Sequence, residues 1–104
     1  MPLEILREDE GSLRWRLAGD LDLATADRLV ETVIPRIESP DVAVTLDLRD
    51  LSFVDSSGIR ALISIATSLT DGTLTLVAPT SPVAKVLQLV RADSFPNLRI
   101  EGDG

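Results

Sequence analysis

The 104-residue chain has no cysteine and no histidine. Disulfides, thiolate nucleophiles, Ser-His triads and zinc centres built on these ligands are thereby excluded. Its six glycines, at 11, 19, 58, 72, 102 and 104, form neither G-x-G-x-x-G nor G-x-x-x-x-G-K-[ST], so the usual phosphate cradles are missing. With histidine absent, the commonest agent of proton transfer near neutral pH is gone too. No enzyme activity, cofactor or metal is expected. No apolar run approaches the ~20 residues that cross a bilayer. The first ten residues lack the basic start and apolar centre of a signal peptide, so a cytoplasmic protein without membrane insertion is expected. Basic residues are scarce: one lysine, Lys85, and nine scattered arginines face seventeen acidic residues, for a net charge of −7. Such a field repels a phosphate backbone, and nucleic acid is not an expected partner.

What is present suits one globular domain. Hydrophobic residues make up 44% and charged residues 26%, and a chain of this length buries one modest core. The boundaries read as a domain over 1–101 and a disordered C-terminal tail over 102–104. Leu13, Trp15 and Leu17 alternate with polar neighbours, the period of a half-buried strand. An earlier strand is predicted over Leu3–Leu6, with Asp9-Glu10-Gly11 as the turn between the two. Alternation returns at 42–48, where Val42, Val44, Leu46 and Leu48 oppose Ala43, Thr45 and Asp47. It returns again at Leu74, Leu76 and Ala78, and a last strand contains Leu98 and Ile100.

Between strands the period becomes helical. Ala26, Leu29, Val30, Val33 and Ile37 form one stripe, capped by Thr25 and ended or kinked by Pro35. Ile59, Leu62, Ile63, Ala66 and Leu69 form a second, closed by Asp71-Gly72. Val83, Val86, Leu87 and Val90 form a third, with Pro82 in its first turn. The order β-β-α-β-α-β-α-β predicts an α/β domain: a β-hairpin, then βαβ-type crossovers, in a mixed sheet of four to five strands. Because the strands alternate, the helices are expected mainly on one face, with Arg14, Arg16, Thr45 and Thr75 on a polar opposite face.

The densest signal runs from Val44 to Leu62. A buried strand ends near Leu48, a loop follows, and a helix starts around Ser56, with Asp55, Ser56 and Ser57 where an N-cap belongs. Gly58 in the first turn would let another chain come close to the backbone. The stretch Asp50-x-x-Phe53-Val-Asp-Ser-Ser-Gly-Ile59 resembles the STAS domain of bacterial anti-sigma factor antagonists. Two further segments match in register: Gly19-Asp-Leu-Asp-Leu-Ala-Thr-Ala26, like that family's lead-in to its first helix, and Leu76-Val-Ala-Pro-Thr-Ser-Pro-Val-Ala-Lys-Val-Leu87, like its late strand and Ser-Pro turn. The chain departs from the family pattern at Asp71-Gly72-Thr73, where antagonists often have Gly-Gly, and at Val90-Arg91-Ala92-Asp93, in place of Thr-Gly-Leu.

The resemblance implies a regulatory module that binds an anti-sigma factor, itself a serine kinase, and is switched off by serine phosphorylation. A phosphatase would reset it. It implies Ser56 as the phosphoacceptor, with Ser57 as the alternative. It implies a partner surface of Asp20, Asp22, Asp55, Ser56, Ser57, Gly58 and Ile59, joined by Ser81 and Pro82. Within the same group, a second reading is an accessory subunit of a lipid-transporting ABC system or of a stress-sensing complex. An enzyme or nucleotide-binding domain is a third reading, with no motif behind it.

Plainer roles stand beside these. Ser56 can be simply a helix cap, since Asp-Ser-Ser is ordinary N-cap chemistry. Asp20 and Asp22 lack the glycine and distal glutamate of a calcium loop and read as solvated residues before a helix. Asp47, Asp50 and Asp55 are magnesium-compatible in type, but Asp50 reads as a turn residue. Lys85 points outward, and Trp15 and Phe53 read as anchors at the edge of the core, with Phe53 an interface residue instead if it is exposed.

Overall fold

A computed structural model describes residues 2–9 and 11–102. Five strands, β1 (Glu4–Asp9), β2 (Leu13–Leu21), β3 (Ala43–Val54), β4 (Thr73–Val77) and β5 (Leu98–Glu101), share one sheet in chain order. The first pair is antiparallel and all later neighbours are parallel. Helices α1 (Ala26–Val33), α2 (Ser56–Ser68) and α3 (Ser81–Leu89) make the crossovers. This is the α/β order and mixed sheet that the periodicities predict. Glu10 of the expected turn, and Asp103 and Gly104 of the expected tail, lie outside the described residues.

The periods explain the layers. Along β2, Trp15, Leu17, Gly19 and Leu21 are buried while Arg14, Arg16, Ala18 and Asp20 are half-buried. Leu29 and Val33 of α1, Leu62 and Ile65 of α2, and Val83 and Leu87 of α3 join Leu17, Leu46 and Leu76 of the sheet in one cluster. That shared cluster puts all three helices on one face of the sheet. Each leucine buried there contributes roughly 1.5–3 kcal/mol. Pro35 acts as expected: α1 stops at Val33 and tightens into a 3-10 turn over Ile34–Arg36. Trp15 is a core residue rather than an edge anchor, only 2% exposed, with the Arg7 guanidinium 5.4 Å from the ring centre.

Three boundaries need correction: β1 starts at Glu4 and runs past Leu6 to Asp9, which is in the strand and not the turn; β4 ends at Val77, before Ala78; and β3 is much longer than expected. The strand expected to end near Leu48 runs twelve residues, to Val54. Arg16 and Ala18 of β2 face Asp47 and Asp50, so Leu17 alone opposes both Leu48 and Arg49; Gly19 and Asp20 face Leu51 and Phe53, leaving Ser52 unpaired. Each bulge adds a residue to β3 and breaks its alternation, which is why the segment reads as a loop. The result keeps Leu51 and Val54 buried and turns Phe53 outward, 50% exposed. Asp50 accordingly sits in the strand, not a turn, and its carboxylate meets the Arg16 guanidinium at 2.7 Å.

The face without helices carries the expected polar residues, organised around Asp47. This carboxylate is 1% exposed and accepts from the Arg49 backbone N–H at 3.1 Å, with the Arg49 guanidinium at 3.0 Å and that of Arg14 at 3.7 Å. Burial alone would raise its pKa, but the Arg49 hydrogen bonds and the two positive charges outweigh it and hold the pKa below the ordinary value. A carboxyl with a folded-state pKa below its unfolded one stabilises the fold fully above the unfolded value, about 3.9, and ceases to as pH falls through the folded one. The stability difference between the native protein and Asp47→Asn should therefore be constant from about pH 7 to 5 and shrink in acid below about pH 4. Urea melts across that range measure it; a difference independent of pH would show that the ionised carboxylate contributes nothing.

Candidate functional site

Strands β2, β3 and β4 are parallel to one another, so the starts of α1, α2 and α3 all lie at one end of the sheet, where ligand crevices form in α/β folds. Each start is built differently. Ahead of α1, the Thr25 hydroxyl donates to the Asp20 carbonyl at 2.8 Å and accepts from the Asp22 N–H at 3.0 Å. The Asp22 carboxylate accepts from the Ala24 N–H at 3.0 Å. Thr25 holds the N-cap position, but its side chain braces the loop and bonds no helix N–H. Asp20, half-buried, sits beside Phe53 in the β2–β3 register.

At α2 the cap is Asp55. Its backbone is extended and its Oδ1 accepts from the Gly58 N–H at 3.0 Å, an N-cap bond that contributes about 1 kcal/mol. The Asp55 N–H donates to the Leu21 carbonyl at 3.2 Å and pins the cap to the end of β2. Because the aspartate does the capping, the hydroxyl of Ser56, the first residue of α2, is spared that task, and Ser56 is exposed. Ser57 is half-buried.

Gly58 and Ile59 require correction as contact residues. A Cβ on Gly58 would stand 2.6 Å from the Leu21 carbonyl oxygen and 2.7 Å from Val54 Cγ2. The close approach that the glycine permits is thus made by the chain's own β2 and β3. Ile59, 7% exposed, belongs to the core. The exposed chemistry at this helix start narrows to Ser56 and Ser57.

At α3 the Thr80 hydroxyl donates to the Leu51 carbonyl at 2.9 Å, tying the helix start to β3, and Ser81 and Pro82 beyond it are exposed.

A groove of about 360 Å³ between α1 and α2 opens beside these starts. Its walls are Leu23, Ala26, Asp27 and Val30 on one side and Ser57, Arg60, Ala61 and Ser64 on the other. The structure thus joins the loop before α1 to Ser57, whereas Ser81 and Pro82 lie outside the groove. Leu23, at 80% exposure, offers its side chain to solvent at the rim. Sequence reasoning missed Arg60 and Asp27, although the signal was present: each wall is an i, i+3, i+4, i+7 set, the first sharing Ala26 and Val30 with the α1 core stripe and the second running beside that of α2. Among the described residues no three carboxylates gather as metal ligands.

Residues 5–101 match the STAS domain family. The chain belongs to that family. Solved structures show the same STAS fold. A Thermotoga maritima protein assigned as an anti-sigma factor antagonist has a TM-score of 0.71 and 21% identity, over 96% of this chain and 84% of that one. The anti-sigma factor antagonist SpoIIAA, in its unphosphorylated form, has a TM-score of 0.74 and 21% identity, over 94% of this chain and 86% of that one. At this identity the likeness is one of fold. Among the described residues of this STAS domain, no helix is long and apolar enough to cross a membrane.

Proposed function

We propose that this STAS domain is an anti-sigma factor antagonist, a non-enzymatic cytoplasmic regulator. It binds an anti-sigma factor that is a serine kinase, and phosphorylation of Ser56 switches the binding off. The observation that carries this reading is the division of labour at α2, where Asp55 caps the helix and leaves the exposed Ser56 hydroxyl to other chemistry. Because the cap bond belongs to Asp55, a change at the Ser56 hydroxyl leaves it in place. Membership of the STAS family and the fold shared with the antagonist SpoIIAA support the same role. The contact surface we assign is Asp55, Ser56 and Ser57, the stretch from Asp20 at the end of β2 through Asp22 to Leu23, and Ser81 and Pro82 in the first turn of α3 at the same end of the sheet.

The switch works by charge. A phosphate adds about −1.5 to −2 charges. In the free domain it is solvated; under a docked partner it must lose water beside the Asp55 carboxylate. A phosphatase acting on phosphoserine restores the neutral hydroxyl.

The test incubates the domain with ATP and a candidate anti-sigma kinase, followed by intact mass and peptide mapping. One phosphate on Ser56, and none on the Ser56→Ala variant, is the expected result. A phosphate placed elsewhere, or pull-down of an ABC ATPase with its membrane subunit instead of a kinase, would overturn the reading.

A further inference from the structure

We infer that Arg60 is the built-in counter-ion of a phosphate on Ser56. The inference rests on the reading of Ser56 given above and adds a residue to it. In α2, Arg60 lies four positions after Ser56, and residues so spaced are surface neighbours with Cβ atoms about 5–6 Å apart. Helical side chains lean toward the N-terminus, so the long guanidinium of Arg60 reaches back over the turn that holds Ser56.

Arg60 is also available. The guanidinium groups of Arg14, Arg16, Arg28 and Arg99 are engaged by Glu8 and Asp47, by Asp50, by the Leu3 carbonyl and by Glu101 respectively. Arg60 is exposed, lines the α1–α2 groove with Ser57, and has no ion pair or hydrogen-bond partner through its side chain among the described residues. Asp27 of α1 lines the same groove without closing to ion-pair distance.

The charges around Ser56 make such a partner matter. Asp55 precedes it, Asp27 faces the groove from α1, Asp20 lies at the end of β2 and Asp22 just beyond it, and the whole chain carries −7. A dianion set among these carboxylates is held by the one guanidinium on its own helix wall. Arginine keeps its charge across the range in which phosphoserine titrates, near 6, so the pair strengthens as the phosphate loses its second proton.

The experiment uses the full chain with phosphoserine installed at position 56 during synthesis, so the outcome does not depend on any kinase. Phosphorus NMR titration then gives the second pKa of the phosphate. Arg60→Gln should raise that pKa by roughly 0.5 or more. Arg60→Lys should retain most of the native value, and Arg36→Gln, in a different part of the surface, should leave it unchanged. An identical pKa in the native protein and Arg60→Gln, or an equal rise in Arg36→Gln, would overturn the inference. Unphosphorylated Arg60→Gln, with its exposed position, should melt like the native domain, which separates a lost ion pair from a lost fold. A missing kinase reaction would count against the switch alone, whereas an unmoved pKa would count against Arg60 alone.

Discussion

Gly58→Val is expected to destabilise the domain by about 3 kcal/mol, with a smaller loss of the same sign for Gly58→Ala. The reason is a backbone contact. A Cβ at this position would stand 2.6 Å from the Leu21 carbonyl oxygen and 2.7 to 2.8 Å from the Val54 and Leu21 side chains, all held by the sheet. Alanine recovers about 1 kcal/mol of helix propensity relative to glycine, which offsets part of the clash. Valine adds two more carbons to the same space and recovers less. Relief requires the first turn of α2 to move off β2 and β3, which would also move Ser56 and stretch the Asp55–Leu21 bond. Chemical denaturation measures the loss; a valine variant of native stability would mean that α2 does not approach the sheet this closely.

The second large effect is on binding. On the function proposed above, phosphoserine at position 56 should lower affinity for an anti-sigma factor partner by about 100-fold, which corresponds to about 2.7 kcal/mol. Ser56→Asp should move in the same direction with its smaller charge, and Ser56→Ala should bind like the native protein. At an assumed separation of ~6 Å, a dianion and the Asp55 carboxylate repel by roughly 1–5 kcal/mol for effective dielectrics between 80 and 20. Solvent holds this at the low end in the free domain, and docking drives it toward the high end. Melting temperature should hardly change, because Ser56 is exposed and Asp55 supplies the cap. Titration calorimetry of the native protein and these three forms decides it, and equal affinities would end the idea of a charge-operated switch.

The candidate site was partly legible in the sequence. Asp-Ser-Ser-Gly before an amphipathic stripe marked a helix start, and it lies where expected. The assignment of roles within it was not. Asp55 and Ser56 are both plausible caps, and only the hydrogen bond from the Gly58 N–H selects the aspartate. Gly58 as a residue invites a close neighbour, but nothing local says whether that neighbour is a partner or Leu21. Ile59 belonged to the core stripe and to the expected contact surface at once, and burial assigns it to the core. Phe53 reads as an anchor until the bulge at Ser52 sends it to the opposite face.

The order of the elements, the helix faces and the polar side of the sheet were determined by the amino-acid sequence alone. Periods of two and of 3.6 are local, and each is written within a dozen neighbouring residues. Tertiary structure alone decided how far β3 extends, which residues its bulges turn outward and which groups at the start of α2 meet solvent. Those outcomes depend on what lies opposite: Leu21 against Gly58, Leu17 against Leu48 and Arg49, and α1 against α2 around Arg60. Contacts between residues tens of positions apart are selected by packing and pairing, and they leave no period in the chain.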